Sequence, residues 1–138
     1  MTPFEPPAGR QVFALSHVAQ EGDIDVNGHV NNVVYLNWAQ EMAVAHWRSR
    51  APAHEQDRWA WVVLRHEVDY RRPLLRGETA LARTWVADAP EGPRFDRYVR
   101  IDGPDGAVCA QALTTWCLVD ADSRRPRRVP AWMPALFT

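Results

Sequence analysis

The sequence predicts an α+β domain in which an antiparallel sheet wraps around one long central helix. Residues 32–49 repeat apolar side chains every three or four positions, which is typical of a helix. Residues 60–119 instead alternate with period two, in four runs that short turns separate. The polar stripe of the helix is narrow, so another element must nearly enclose it. Four turn-linked strands form a largely antiparallel sheet that can do this.

The elements follow one another in a simple order. Residues 1–10 are rich in proline and predict a loose N-terminal arm, and the apolar run 11–18 predicts a first strand. Residues 21–32 are dense in glycine, asparagine and aspartate and predict a loop. The helix then runs from about Asn32 to about Ser49, and Pro52 prevents its continuation.

Four strands are predicted after the helix, over 60–70, 79–87, 95–102 and 107–119. The first of them is expected to place one set of side chains on a single apolar face: Ala60, Val62, Leu64, His66, Val68 and Tyr70. The tail over 123–138 is rich in proline and arginine and predicts no regular structure beyond a short turn. We expect residues 1–138 to form one domain.

Composition excludes several classes of function. The formal net charge is −1, so no basic field indicates nucleic-acid binding, and no apolar run approaches the length of a membrane span. The N-terminus does not resemble a signal peptide. The two cysteines, Cys109 and Cys117, predict free thiols in a reduced compartment, so we expect a cytoplasmic protein. All basic residues are arginine, which excludes lysine Schiff-base chemistry. No set of side chains has metal-ligand spacing, so no metal is expected.

The informative stretch is residues 23–36, DIDVNGHVNNVVYL. The loop leads directly into the helix, whose first backbone N–H groups are unpaired and carry the positive end of the helix dipole. The amides around Asn31 and Asn32 therefore predict a site for the developing negative charge of a carbonyl oxygen. Asp25 lies a few residues upstream and is the candidate base or nucleophile. The alternative is structural, because aspartate, asparagine and glycine are also ordinary turn and capping residues.

The same residues resemble the signature of the hotdog-fold thioesterases, D-x-D-x-x-G/Q-H-V-N-N-x-x-Y-L. The resemblance is to the 4-hydroxybenzoyl-CoA thioesterase-like branch, which includes bacterial acyl-CoA and plant acyl-ACP thioesterases. Weaker similarity extends over most of the chain, at Tyr70-Arg-Arg-Pro73 and Arg127-Arg-Val-Pro130. The resemblance implies a hotdog fold and hydrolysis of an acyl-CoA or acyl-carrier-protein thioester, as in fatty acid metabolism. It also identifies Asp25 as the catalytic carboxylate.

The resemblance carries Asn27 and His29 into the site as well, and we assign His29 to orienting Asp25 or the water and Asn27 to a supporting hydrogen bond. The expected substrate-binding residues are Gly28, Val30, Asn31, Asn32, Tyr35, Arg71 and Arg72. The two arginines are candidates to hold the phosphates of coenzyme A or an acidic carrier protein, although a solvated surface explains them equally well. No separate cofactor is expected, because coenzyme A enters as part of the substrate. An uncovered sheet edge favours a homodimer or a homotetramer.

Two other functions fit the same fold. A hotdog hydratase or dehydratase also pairs an acid with a histidine, and an assay of water addition to an enoyl-CoA separates it from a thioesterase. A non-catalytic acyl-CoA-binding module is distinguished by binding without turnover. The sequence determines neither the acyl group nor the choice between coenzyme A and a carrier protein.

Overall fold

The structure, a computed structural model, describes residues 2–138, so Met1 of the predicted arm lies outside the described residues. Its strands are β1 (Phe13–Val18), β2 (Trp59–Tyr70), β3 (Thr79–Val86), β4 (Arg94–Asp102) and β5 (Val108–Asp120). Its helices are α1 (Asn32–Arg50), α2 (Ala53–Arg58) and α3 (Trp132–Ala135), with a short 3-10 helix at Glu21–Asp23.

The five strands form one antiparallel sheet in the order β1-β3-β4-β5-β2, with α1 packed on one face. The predicted α+β architecture is therefore confirmed. Side chains of β4 alternate between the two faces, as a pleated strand requires. Phe95, Arg97 and Val99 face the helix and are buried, whereas Asp96 and Tyr98 face the opposite side. The twelve-residue strand β2 is one edge of the sheet.

The pleat of β2 changes at Leu64, which corrects the predicted face of this strand. Val63 pairs with Trp116, whereas Arg65 pairs with Thr115, so Leu64 is an extra residue in the ladder. One extra residue reverses the alternation of the side chains before it. Three side chains predicted on the inner face consequently lie on the outer face: Ala60, Val62 and Leu64. His66, Val68 and Tyr70, beyond the bulge, face inward as predicted.

Helix α1 is enclosed on one side only within this chain. Its buried side chains contact the sheet: Tyr35, Trp38, Ala39, Met42, Ala43, His46 and Trp47. Its opposite side is exposed and includes Val33 and Val44. Asn31 caps the start of the helix, and the arginines of its last turn complement the dipole. Within residues 2–138, no helix combines the length and the apolar character needed to cross a bilayer.

Both terminal segments pack against the sheet. Residues 2–10 have no helix or strand and extend over the outer face, where the Phe4 ring lies 5.2 Å from that of Tyr98, edge to face. The Phe4 N–H donates to Oε1 of Gln111. The tail returns over the C-terminal half of α1, and it contributes Met133 and Phe137 to a buried cluster.

Candidate active site

The loop before α1 folds back on itself and presents Asp25 close to the start of the helix. Ile24 and Val30 form an antiparallel bridge across the loop. At its tip, the Asp25 N–H donates to the His29 carbonyl at 2.8 Å, and the Gly28 N–H donates to the Asp25 carbonyl at 3.1 Å. Gly28 has a φ of +79°, a left-handed conformation that favours glycine. The loop therefore depends on this glycine for its tight turn.

The loop backbone holds the Asp25 carboxylate at one oxygen only. Oδ1 accepts the N–H of Asn27 at 2.9 Å and that of His29 at 3.4 Å. The other oxygen, Oδ2, accepts no hydrogen bond from any residue between 2 and 138. The side chain is half-buried. One oxygen is thus anchored while the other remains available for a proton or an electrophile.

The start of α1 offers one open amide. The Asn31 N–H donates to the Asp23 carbonyl at 2.9 Å, and the Asn31 side chain accepts the N–H of Val33 at 3.0 Å. The N–H of Asn32 has no acceptor among the described residues. The sequence predicted an oxyanion site around Asn31 and Asn32. Since the Asn31 amide is occupied, the Asn32 amide alone is open.

Buried residues hold this loop against the core. Val30 is 3% exposed, and its N–H donates to the Leu74 carbonyl at 2.9 Å. The Leu74 N–H donates to the Tyr35 hydroxyl at 3.2 Å, and burial raises the pKa of that phenol to about 12. In this chain Val30 and Tyr35, both predicted to bind substrate, therefore anchor the loop to the core. Tyr70, which the sequence did not single out as a site residue, donates to the Asn32 carbonyl at 3.3 Å.

The predicted residues at the loop tip contact Asp25 through their backbones. Asn27, Gly28 and His29 are all exposed. Neither the Asn27 amide nor the His29 ring has a hydrogen bond to Asp25 in the described chain. Their predicted side-chain roles stay predictions.

A model of the thioesterase-like superfamily matches residues 20–137. The chain belongs to this superfamily. The match covers the loop, α1 and the whole of the sheet except β1. It agrees with the resemblance carried by residues 23–36 and supports acyl thioester hydrolysis at the level of the superfamily. No curated protein sequence matches the chain.

Solved thioesterase structures share the fold, which confirms the predicted hotdog architecture. One is a thioesterase from Thermus thermophilus complexed with coenzyme A and zinc, with a TM-score of 0.80 at 22% identity; the match covers 95% of this chain and 94% of that one. A 1,4-dihydroxy-2-naphthoyl-CoA thioesterase from Synechocystis has a TM-score of 0.76 at 18% identity, covering 91% and 95%. An acyl-ACP thioesterase from Bacteroides thetaiotaomicron has a TM-score of 0.75 at 22% identity, covering 86% of this chain and 49% of that one.

The two arginines predicted to bind the carrier follow β2 directly and are exposed. Their backbone N–H groups donate to the Cys109 carbonyl, at 2.8 Å from Arg71 and 3.3 Å from Arg72. The Arg72 guanidinium forms an exposed ion pair with Asp105. Arg71 directly follows Tyr70, whose hydroxyl donates to the Asn32 carbonyl at the start of α1.

A second polar feature lies far from this loop and was missed as a site by sequence reasoning. Arg97 belongs to the apolar face of β4, between Phe95 and Val99, and lines an aromatic cavity near the C-terminal half of α1. An arginine in the apolar phase of a strand was the signal that could have identified it. Among residues 2–138, no group of three histidine, cysteine, aspartate or glutamate side chains could hold a metal ion.

Proposed function

We propose that the chain hydrolyses the thioester of an acyl-CoA or an acyl carrier protein, with Asp25 as the catalytic carboxylate. The proposal depends on two polar groups, one in the loop and one at the start of α1, that have no hydrogen-bond partner among the described residues. The Oδ2 atom of Asp25 and the N–H of Asn32 both lack protein partners in the described chain. One supplies negative charge and the other a donor at the positive end of a 19-residue helix.

Two mechanisms of thioester hydrolysis use these groups, and they differ only in the role of Asp25. As a base, Asp25 removes a proton from water while the water oxygen attacks the thioester carbon. As a nucleophile, Oδ2 attacks that carbon itself and forms an acyl anhydride, which water then hydrolyses. In both routes negative charge develops on the carbonyl oxygen, where the Asn32 N–H stabilises it. The thiolate of the carrier leaves, so no separate cofactor is needed.

The remaining predicted residues fit supporting roles around this centre. We assign the exposed ring of His29 to orienting the attacking water or Asp25, and the side chain of Asn27 to a further hydrogen bond. Gly28, Val30, Asn31 and Tyr35 fix the loop that presents Asp25. We assign Arg71 and Arg72 to binding the phosphates of the carrier, since guanidinium groups hold phosphate through paired hydrogen bonds.

Replacing Asp25 by asparagine tests the proposal. The amide side chain would keep an oxygen for the loop N–H groups but could neither take a proton from water nor attack a carbonyl. We expect Asp25→Asn to lower kcat on an acyl-CoA panel by about 10³-fold, with acyl-CoA binding retained. The readout is release of the free thiol.

Asp23→Asn is the matched control, because it makes the same chemical change in the same loop. The Asp23 carboxylate accepts the Gln20 N–H at 2.9 Å and caps the short 3-10 helix, so its loss should affect stability and leave most activity. Full activity in Asp25→Asn contradicts the assignment. Wild-type binding of acyl-CoA without turnover supports the binding module instead, and hydration of an enoyl-CoA supports the hydratase.

We also propose that two chains pair through β2. This strand is a long open edge, and the exposed side of α1 beside it carries Val33 and Val44. Tyr70 at the end of β2 contacts the start of α1, whereas the Trp61 ring near its beginning lies 6.0 Å from that of Trp47. The helix and the strand therefore run in opposite directions. Antiparallel pairing of two β2 edges would bring the Asp25 loop of one protomer towards the aromatic cavity of its partner.

A further inference from the structure

A cavity of about 460 Å³ lies between the C-terminal half of α1, the beginning of β2 and the inner face of the sheet. Its volume is in the range of small-molecule sites. Six aromatic side chains line it: Trp47, Trp59, Trp61, Phe95, Trp116 and Phe137. Exposed residues of α1 and α2, Val44, Arg48 and Asp57, lie at its mouth, and buried residues form its inner end. Such a lining favours a planar, apolar ligand.

The inner end holds a buried cation that lacks a counter-charge. Arg97 is 6% exposed, and no carboxylate oxygen of the described residues lies within 4.0 Å of its guanidinium. Burial lowers the pKa of Arg97 to about 9. On the opposite face of the same strand, Arg100 pairs with both Asp102 and Glu5. Arg97 is thus a buried arginine of β4 without a carboxylate partner among the described residues.

The protein groups that contact the Arg97 guanidinium directly are neutral. Its Nη1 contacts the Thr84 hydroxyl at 3.1 Å and Nδ1 of His46 at 2.9 Å, and its guanidinium lies 5.4 Å from the centre of the Phe137 ring. Burial, together with Arg97 itself, lowers the pKa of His46 to about 3, so the imidazole is neutral. Nδ1 then accepts from Arg97 while Nε2 donates to Oε1 of Gln11 at 2.9 Å.

Two residues that line this cavity have donors without an acceptor in the described chain. Nε and Nη2 of Arg97 make no hydrogen bond, because both of its protein bonds use Nη1. Nε1 of Trp116, which lines the same cavity, is buried and also lacks a partner. A buried donor such as Trp116 Nε1 is nearly always bonded in folded proteins, so the cavity is suited to an acceptor that the chain itself does not provide.

We propose that this cavity binds a small planar carboxylate, with its aromatic or apolar body among the tryptophans and its carboxylate on Arg97. A guanidinium offers parallel N–H groups that match both oxygens of a carboxylate. Asp96 also contributes to the cavity lining, but its carboxylate accepts the Thr115 hydroxyl at 2.8 Å and forms no ion pair with Arg97. Asp57 and Arg48, both at the mouth, carry opposite charges. A ligand with one negative charge at its inner end fits this distribution of charge.

The inference does not rest on the proposed hydrolysis, because binding requires neither Asp25 nor the Asn32 amide. The carboxylate could be the acid that hydrolysis releases or a separate effector. Competitive inhibition of thioester hydrolysis by the bound acid indicates the first source, and non-competitive behaviour indicates the second.

Calorimetric titration of the purified full chain with 2-naphthoate and its neutral amide, 2-naphthamide, tests the proposal. The two probes share a ring system and differ in charge. We expect 2-naphthoate to bind about 10- to 100-fold more tightly, the difference that hydrogen bonds to a charged group provide. Equal affinity for the two probes, or no binding of 2-naphthoate, overturns the proposal.

Variants of two arginines test whether the carboxylate of the ligand binds to Arg97. Arg97→Met should remove the preference for the acid, whereas Arg94→Met, an exposed arginine on the same strand, should keep it. If Arg97→Met does not fold, Trp116→Phe removes the indole N–H together with part of the ring, and it should weaken binding of 2-naphthoate several-fold more than binding of 2-naphthamide. Asp25→Asn should bind the acid as wild type does, so a failure of the hydrolase proposal leaves this test intact. Retention of the preference in folded Arg97→Met overturns the assignment.

Discussion

The two ends of α1 handle charge in opposite ways. Before its start, Asp25 lies half-buried in the loop, where the backbone amides of Asn27 and His29 hold one carboxylate oxygen, and the first helical residue, Asn32, has an open N–H. About 18 Å along the helix, near Val44, charge is buried and comes from the side chain of Arg97. The first end stabilises an anion with backbone dipoles, and the second presents a formal cation among neutral groups.

The difference shows two ways of preparing a protein for an anion. An open amide at a helix start adds no formal charge, so it can stabilise charge that appears only during a reaction. A buried guanidinium carries its charge at all times and is stabilised most by an anion that is already present. In our proposals the loop end therefore acts in catalysis and the cavity end in binding.

The variant with the largest expected effect tests whether the Asn32 amide takes part in catalysis. Proline at position 32 removes this N–H along with the asparagine side chain and is compatible with the helix, since proline is favoured at the first helical position. The preceding residue, Asn31, already has a φ of −61° and a ψ of 137°, which a following proline allows. We expect Asn32→Pro to lower kcat on an acyl-CoA about 100- to 1000-fold, as loss of an oxyanion donor does.

Asn32→Ala is the control for this experiment, because it removes the side chain and keeps the amide. It should retain most of the wild-type kcat, and circular dichroism should show both variants folded. Comparable activity in Asn32→Pro and Asn32→Ala would show that the open amide does not stabilise the transition state.

The two ends also differ in how far the sequence predicts them. The Asp25 loop and the start of α1 are contiguous in sequence, so residue types and spacing indicate the turn, the cap and the carboxylate. The order of strands and the antiparallel sheet follow from alternation and short turns. The cavity instead combines Trp61, Arg97, Trp116 and Phe137, which only the tertiary fold brings together.

Two further features of the structure could not be predicted from the sequence, a bulge in β2 and a hydrogen bond at the start of α1. Alternation predicted Val62 and Leu64 on the inner face of β2, but a bulge needs only one extra residue and leaves no signal in the hydrophobic pattern. At the start of α1, the Asn31 N–H donates to the Asp23 carbonyl. The spacing of residues in the sequence does not predict this hydrogen bond, because it depends on how the loop folds back.

The variant with the next largest expected effect tests whether the Asp25 loop of one chain lies near the aromatic cavity of a second chain. A lysine on an open strand edge opposes edge-to-edge pairing. We expect Leu64→Lys on β2 to raise the dissociation constant of the dimer at least about tenfold in sedimentation experiments, because charge must then be desolvated at the contact. Hydrolysis should fall in parallel if the loop and cavity act together.

Leu81→Lys provides the matched comparison for the edge experiment. Leu81 is 42% exposed, close to the 49% of Leu64, but it belongs to β3, which has neighbours on both sides. The control should associate as wild type does. A wild-type chain that sediments as a monomer at micromolar concentration would rule out the pairing.

The smallest expected effect concerns the neutral histidine of the cavity end. The pKa of His46 falls from its ordinary value of 6.5 to about 3, chiefly through burial. Between these values the unfolded chain binds a proton that the folded chain does not, so stability decreases as the pH falls. We expect the free energy of unfolding to drop by up to about 1.4 kcal/mol per pH unit more in wild type than in His46→Gln.

Urea unfolding at pH values from 8 to 4 measures this difference, with the two proteins normalised at pH 8. Burial also lowers the pKa of His17 and His66, but both residues remain in the variant, so their contributions cancel in the comparison. Glutamine at position 46 has donor and acceptor groups for Gln11 and Arg97 and does not titrate in this range. Parallel curves for the two proteins would mean that His46 accepts a proton while folded, and the cavity end would then hold a second cation beside Arg97.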